Sequence, residues 1–159
     1  FREFNFMNIN EKELVDFVKQ NKMDYYIFSG GGILKNEILS SGTKFIHFHP
    51  GIVPEYRGST CFYYSILNEG KCGVTAFIME AGLDTGDIVF QKKFSPPQHE
   101  FLDTVYDSHI RSETLINLLD EDILNESLFK KQNKNEGRTY FIIHPVLKHI
   151  AILKCLSNV

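Results

Sequence analysis

A short apolar strand that runs directly into a histidine and a Pro-Gly turn constrains the fold of this chain most strongly. Residues 45–49 read Phe-Ile-His-Phe-His, and residues 50–58 continue as Pro-Gly-Ile-Val-Pro-Glu-Tyr-Arg-Gly. An apolar run of this length that ends at Pro and Gly is typical of a buried strand opening into a loop. His47 and His49 are two residues apart, so they point to the same side of such a strand. The pattern predicts a buried strand that carries two imidazoles to its end.

Apolar segments of strand length alternate with helix-like segments along the chain, which is typical of an α/β domain. Strands are predicted at residues 25–28, 45–49, 73–79, 88–94 and 139–143. Helices are predicted at residues 10–20, 36–39, 59–68, 101–119 and 145–156. We expect Asn10 to open the first helix in a capping box, and Ser59 or Thr60 to cap the third. The apolar face of the fourth helix is predicted to carry Leu102, Val105, His109, Ile116 and Leu119.

Length and composition indicate one domain. The chain has 159 residues, of which 43% are hydrophobic, and this is enough for one sizeable core. No internal repeat, low-complexity segment or linker divides it, so residues 1–159 are expected to form a single catalytic domain. The chain begins at Phe1 rather than at Met, which suggests a processed, truncated or incomplete N-terminus.

Charge and cysteine content argue against several kinds of partner. The net charge is −3 and the basic residues are scattered, so nucleic acid is not an expected partner. No run of about 18 apolar residues is present to span a membrane. The three cysteines form an odd set without metal-ligand spacing, which favours reduced thiols and a cytoplasmic protein. Nothing in the residues decides between a monomer and a homodimer.

Two glycine-rich segments are candidate ligand loops. Residues 29–32 read Ser-Gly-Gly-Gly directly after a predicted strand, which suits either a ligand loop or a plain turn. The segment matches neither a Walker loop nor a dinucleotide fingerprint. Asp84 and Asp87 lie in a second glycine-bounded segment, where Asp is common for structural reasons. Beside the histidine strand, however, such a carboxylate can orient an imidazole and stabilise its charged form.

The two histidines leave two kinds of chemistry open. They suit a metal pair, or a general base with a neighbouring hydrogen-bond donor. Arg57 follows in the same segment, where it is expected either to hold an anionic substrate or to pair with Glu55.

Three ordered motifs resemble the folate-dependent formyltransferase family. They are residues 49–58, then Gly-Val-Thr at 73–75, then Gly-Leu-Asp-Thr-Gly-Asp-Ile at 82–88. The resemblance covers roughly residues 25–91. It implies a Rossmann-like open, mostly parallel sheet flanked by helices, with formyl-tetrahydrofolate as the formyl donor. That family begins with strand-helix units that help to bind the acceptor. This chain starts near the end of those units, so we expect it to lack them.

The resemblance also implies roles for particular residues. It places the catalytic histidine at His49 and the catalytic aspartate at Asp84. It implies that the pterin of the donor binds against two loops, which contain Gly30, Gly31, Gly32, Ile33 and Leu34 in the first and Ala81, Gly82 and Leu83 in the second. For the acceptor we expect contacts from Tyr56, Arg57 and Gly58.

One position departs from the family pattern. The family has an asparagine two residues before the catalytic histidine, and this chain has His47 there. The asparagine donates a hydrogen bond to the formyl oxygen as negative charge builds on it, a contact worth about 3 to 4 kcal/mol in comparable sites. We expect a neutral His47, with its N–H aimed at that oxygen, to serve instead and to add a pH dependence.

The function expected from the resemblance is formyl transfer to a primary amine of a small substrate. A nucleotide-linked amino sugar is the first choice, and glycinamide ribonucleotide is next. A formyl-tetrahydrofolate hydrolase, which uses water as the acceptor, remains an alternative. So do a metal-dependent hydrolase built on His47, His49 and Asp84, and a non-catalytic folate-binding module.

Overall fold

A central four-stranded sheet with helices on both faces organises the fold. In a computed structural model, residues 2–30, 32–96, 100–120 and 123–156 are described. The strands are β1 (Tyr25–Phe28), β2 (Lys44–His49), β3 (Tyr56–Gly58), β4 (Cys72–Ile78), β5 (Ile88–Phe94) and β6 (Arg138–Tyr140). The helices are α1 (Lys12–Gln20), α2 (Asn36–Leu39), α3 (Cys61–Glu69), α4 (Tyr106–Asp120) and α5 (Pro145–Leu156). Short 3-10 helices lie at Glu100–Asp103 and Glu126–Leu128.

The sheet is mixed rather than mostly parallel in the described part of the chain. Its order is β1-β2-β4-β5, with β1 and β2 parallel and the β2/β4 and β4/β5 pairs antiparallel. Strands β3 and β6 form a separate parallel pair. The α/β class is confirmed. The resemblance implied a mostly parallel sheet, whereas β4 is antiparallel to both of its neighbours. Its burial at nearly every position leaves no sign of strand direction in the sequence.

Strand β2 separates two layers of the core. Ile46 and Phe48 pack into the larger cluster, which α3, α4 and α5 cover with Phe62, Ile66, Ile110, Leu118 and Ala151. Phe45 points to the opposite face and packs with Val15, Val18 and Ile38 of α1 and α2. Side chains alternate along a strand, so His47 and His49 share the face of Phe45. Both imidazoles therefore lie beyond the smaller cluster, where the layer of α1 and α2 ends.

Two predicted caps have other roles. The N-cap residue of α1 is Glu11, which makes no side-chain cap, and the Asn10 side chain instead bonds to the backbone of Ile33 and Lys35 at 2.8 and 2.7 Å. Thr60 precedes α3 with a left-handed φ of 53° and no side-chain cap. Its hydroxyl accepts a hydrogen bond from the Ile143 N–H at 2.9 Å. Both polar side chains therefore hold distant loops rather than helix ends.

The predicted apolar face of the fourth helix is wrong in phase. Helix α4 begins only at Tyr106, after a break at residues 104–105, and its buried side chains are Ile110, Thr114 and Leu118. The predicted face residues Val105, His109, Ile116 and Leu119 are exposed, and only Leu102 of that set is buried. A continuous helix from residue 101 would bury a different set of side chains. The break at residues 104–105 changes which side chains of α4 face the core.

The described ranges contain no helix that is both long enough and apolar enough to cross a membrane.

Candidate active site

His49 lies at the end of β2. One of its ring nitrogens bonds to a backbone carbonyl, and the other can take a proton. The side chain is 3% exposed, and its Nε2 lies 2.8 Å from the carbonyl oxygen of Tyr56. A carbonyl only accepts hydrogen bonds, so Nε2 carries the hydrogen and donates it. Nδ1 is therefore the nitrogen that gains or loses a proton. A Cβ at residue 51 would lie 2.7 Å from this Nε2, which explains why Gly51 follows the strand.

Asp84 faces the available nitrogen of His49. Its Oδ2 lies 3.5 Å from His49 Nδ1 and accepts a hydrogen bond of 2.7 Å from the Gly58 N–H. Burial lowers the pKa of His49 below its ordinary value, and the Asp84 charge opposes this shift. His49 is therefore neutral at rest, with a carboxylate placed to stabilise the imidazolium that forms when Nδ1 takes a proton.

Gly58 is the residue through which the small β3/β6 sheet reaches this pair. Its φ is +100°, and a Cβ there would lie 2.1 Å from the carbonyl oxygen of Tyr140. Glycine is therefore required both by the left-handed backbone and by the close approach of β6. The same geometry directs the Gly58 N–H at the Asp84 carboxylate.

His47 is close to the site but differs from the expectation. Its Nδ1 lies 2.9 Å from the carbonyl oxygen of Phe28, and its ring is flanked by those of Phe28 and Phe77. A neutral His47 therefore gives its single N–H to Phe28, and Nε2 presents only a lone pair. The expectation of a neutral donor aimed at the formyl oxygen is wrong in this respect, because a second N–H exists only on the imidazolium.

A cavity of about 560 Å³ opens above these residues. One wall contains the two loops predicted to hold the pterin, with Gly30, Gly32, Ile33, Leu34, Ala81, Gly82 and Leu83. Gly31, the remaining predicted member, lies outside the described residues. The cavity is also lined by Gly58, Ser59, Thr60 and residues 139–142. The structure thus brings His47, His49, Asp84 and both loops to one cavity.

The other two residues predicted to contact the acceptor lie elsewhere. Tyr56 is buried and stacks on Tyr140, and it reaches the site only through its carbonyl oxygen. Arg57 is 5% exposed and directs its guanidinium to Gln132 and to backbone carbonyls of residues 133–136, not to Glu55. Neither side chain is among the described residues that line the cavity. We therefore do not carry Tyr56 and Arg57 into the acceptor site.

Two parts of the site were missed by sequence reasoning. Phe141 and Ile142 follow β6, are each 80% exposed and line the cavity, although they were expected inside a strand. Gln132 donates to the backbone of the Asp84 loop at 3.0 and 2.6 Å. It lies 48 residues from Asp84 in a polar stretch, where no local pattern distinguishes it.

Neither the neighbouring Cys61 nor a second surface depression is a candidate active site. Burial raises the pKa of the Cys61 thiol to about 12, with Asp84 adding to the effect, so this neighbouring cysteine remains a neutral thiol. A larger depression of about 790 Å³ lies beside Lys22, Asp24, Lys44 and Glu126 at the start of β2. Lys22, Asp24 and Glu126 are exposed there, and the half-buried Lys44 pairs with Glu126.

The described residues hold no group of three or more His, Cys, Asp or Glu side chains arranged to bind a metal ion. His47 and His49 each donate to a different carbonyl, and the Asp84 carboxylate accepts from Gly58. This geometry gives the metal-hydrolase alternative no support.

The fold and the site together define an α/β domain with a histidine–aspartate pair beside a cavity that two glycine-containing loops line. The chain belongs to the formyl transferase family, because the family model described as "Formyl transferase" matches residues 2–119. The resemblance drawn from its three motifs is thereby confirmed.

Individual relatives agree with this family. The chain is 32% identical over 150 residues to the methionyl-tRNA formyltransferase of Finegoldia magna, covering 90% of this chain and 48% of the relative. It spans about half the length of the methionyl-tRNA formyltransferases that it matches.

Solved structures show the same fold. A sugar N-formyltransferase from Shewanella sp FDAARGOS_354 superposes with a TM-score of 0.67 at 22% identity, covering 95% of this chain and 67% of that one. HypX from Aquifex aeolicus, solved in complex with tetrahydrofolic acid, gives a TM-score of 0.67 at 18% identity, covering 91% of this chain and 27% of that one. These similarities confirm the expected Rossmann-like, formyltransferase-type fold.

Proposed function

We propose that this protein transfers a formyl group from formyl-tetrahydrofolate to a primary amine of a small substrate. The observation that carries the proposal is the placement of His49 Nδ1 against Asp84, at 3.5 Å, where both residues line the same cavity as the two predicted pterin loops. The cavity volume falls within the range of about 300 to 1,000 Å³ that suits small ligands.

The cavity wall suits a flat heteroaromatic ring at one end of the donor. Its first loop combines glycine backbone with Ile33 and Leu34, and the second loop adds Leu83. Asn10 anchors the first loop by accepting from the Lys35 N–H and donating to the Ile33 carbonyl. A backbone surface held open in this way allows a ring to lie flat and to meet peptide N–H and C=O groups. Formyl-tetrahydrofolate, when bound, supplies the activated formyl carbon.

His49 is proposed to move the proton. Attack by the amine forms a new C–N bond, and the C–N bond to the folate nitrogen breaks. The amine nitrogen must lose one proton and the folate nitrogen must gain one. Nδ1 of His49 takes the first proton and returns one to the leaving nitrogen, while Nε2–H remains on the Tyr56 carbonyl. Asp84 stabilises the imidazolium between these two events.

His47 is proposed to stabilise the negative charge that builds on the formyl oxygen. Its Nδ1 hydrogen is used by Phe28, so only the imidazolium has a second N–H to donate. A charge-assisted hydrogen bond is also stronger than a neutral one.

The acceptor is proposed to be the amino group of a nucleotide-linked amino sugar. The net charge of −3 disfavours a polyanionic transfer RNA, and the fold match to a sugar N-formyltransferase is consistent with a small acceptor. The 32% identity to a methionyl-tRNA formyltransferase makes methionyl-tRNA the second candidate. Glycinamide ribonucleotide is the third. Cys61, Cys72 and Cys155 are buried, free thiols, which supports our proposal of a reducing, cytoplasmic setting.

The test measures tetrahydrofolate release from formyl-tetrahydrofolate with and without each acceptor. We expect release that depends on an amino-sugar nucleotide and incorporates the formyl group into it. Formate release that needs no amine would instead show a hydrolase. Tight donor binding without turnover across all three acceptors would show a binding module and overturn the proposal.

A further inference from the structure

Gln132 connects the loop that carries Asp84 to the buried side chain of Arg57. Its Nε2 donates to the carbonyl oxygens of Asp84 at 3.0 Å and Gly86 at 2.6 Å. Its Oε1 accepts from Nε of Arg57 at 3.1 Å and from Nη2 at 2.9 Å. Both ends of this side-chain amide are therefore bonded, one to the Asp84 loop and the other to Arg57.

Arg57 determines which way the amide of Gln132 points. The guanidinium is buried, and its remaining N–H groups donate to the carbonyl oxygens of Asn133, Lys134 and Glu136. A buried cation requires acceptors, so the oxygen of Gln132 must face Arg57. The NH₂ group of Gln132 therefore faces the Asp84 loop, where it donates to two carbonyl oxygens.

Asp84 is in a conformation that needs such support. Its φ is 51°, a left-handed value that is uncommon for a residue other than glycine. In this conformation its backbone carbonyl reaches Gln132, while its carboxylate faces His49 Nδ1 and the Gly58 N–H. Strained backbone of this kind persists where the surroundings hold it in place.

We propose that Gln132 is a positioning residue for the histidine–aspartate pair. Its amide, oriented by Arg57, holds the Asp84 backbone in the left-handed conformation that keeps the carboxylate against His49 Nδ1. Its effect on turnover rests on the proposed formyl transfer. Its effect on the geometry of the pair does not, and the two are measured separately.

A purely structural role is the competing explanation, in which Gln132 only anchors residues 132–136 to Arg57. Gln132→Glu separates the two roles because the side chains have the same shape. A glutamate keeps an acceptor toward Arg57 and gains charge, but it replaces the NH₂ donor with an oxygen facing two carbonyls. Anchoring therefore survives in this variant, and positioning is lost.

The kinetic test compares wild type, Gln132→Glu and a control, Gln20→Glu, which adds the same charge at the exposed end of α1. We expect kcat of Gln132→Glu to fall about 100-fold, because misplacement of a catalytic group by about 1 Å costs that much. KM for the donor is expected to stay at the wild-type value. Gln20→Glu is expected to match wild type throughout. Wild-type kcat in Gln132→Glu would overturn the proposal.

The second test does not use turnover. The His49 titration is followed by NMR in wild type and in Gln132→Ala, a variant that adds no charge. His47, Asp84 and Asp107 are the ionisable groups that act on His49, and only Asp84 is expected to move. Asp84 raises the pKa of His49, so its retreat is expected to lower that pKa further. An unchanged titration in folded Gln132→Ala would refute positioning even if the wild-type protein showed no formyl transfer.

Discussion

Replacing the Asp84 carboxylate by an amide isolates its charge from its shape. Asp84→Asn keeps an oxygen that can accept the Gly58 N–H, now 2.7 Å from Oδ2. It removes the negative charge 3.5 Å from His49 Nδ1. Because the same oxygen faces both the Gly58 N–H and His49 Nδ1, the NH₂ group points away from the imidazole. The loss of the charge acts toward a lower pKa of His49.

The size of the effect follows from the distance. Two unit charges 3.5 Å apart attract by about 5 kcal/mol at an effective dielectric constant of about 20. An attraction of this size stabilises the imidazolium, so its loss favours neutral His49. We therefore expect the pKa of His49 in Asp84→Asn to be lower than in wild type.

The same change predicts a pH dependence of stability. Burial already lowers the pKa of His49 below its ordinary value of 6.5. Between that lowered pKa and 6.5, the unfolded chain binds a proton that the folded chain does not. Stability is thus fully present above this window and falls as the pH drops through it. Asp84→Asn extends the window to lower pH, so its thermal midpoint is expected to keep falling at pH values where that of the wild type has levelled off.

Three measurements check this reasoning, with Asp87→Asn as a control that makes the same change in the same loop. NMR gives the His49 titration, thermal unfolding gives stability against pH, and tetrahydrofolate release gives turnover. We expect Asp84→Asn to abolish turnover and Asp87→Asn to leave the His49 titration unchanged. A His49 pKa in Asp84→Asn that equals or exceeds the wild-type value would refute the assigned role of the carboxylate.

Other substitutions test the remaining residues. His49→Ala is expected to abolish tetrahydrofolate release while circular dichroism stays native, and near-full turnover would remove His49 from the mechanism. His47→Asn is expected to retain activity, whereas His47→Ala should lose about two orders of magnitude in kcat; a fully active alanine variant would contradict the oxyanion role. Ile110→Ala is expected to reduce the free energy of unfolding by about 2 to 5 kcal/mol, and Ile116→Ala by less than about 0.5 kcal/mol. Equal losses in denaturant titrations would contradict the observed phase of α4.

Local sequence pattern was sufficient for most elements of the fold. The predicted strands at 25–28, 45–49 and 88–94 match β1, β2 and β5 closely, because apolar runs that end at Gly or Pro mark strands well. The phase of α4 was not predictable from apolar spacing, since the break at residues 104–105 resets it. The antiparallel direction of β4 was not predictable from its sequence either. Burial on both faces depends on what covers the sheet and not on strand direction.

The sequence by itself determined the family, the position of the two histidines at the end of one strand and the glycine-bounded loop that carries Asp84. These features are short segments whose residue types and spacing are visible without a structure. Tertiary structure alone decided which nitrogen of His49 titrates, that neutral His47 has no free N–H, and that Arg57 and Gln132 serve the Asp84 loop. Each of these depends on a hydrogen-bond partner at least seven residues away in the chain. The chemistry of an imidazole or an amide is set by which atoms it bonds, and folding chooses those atoms.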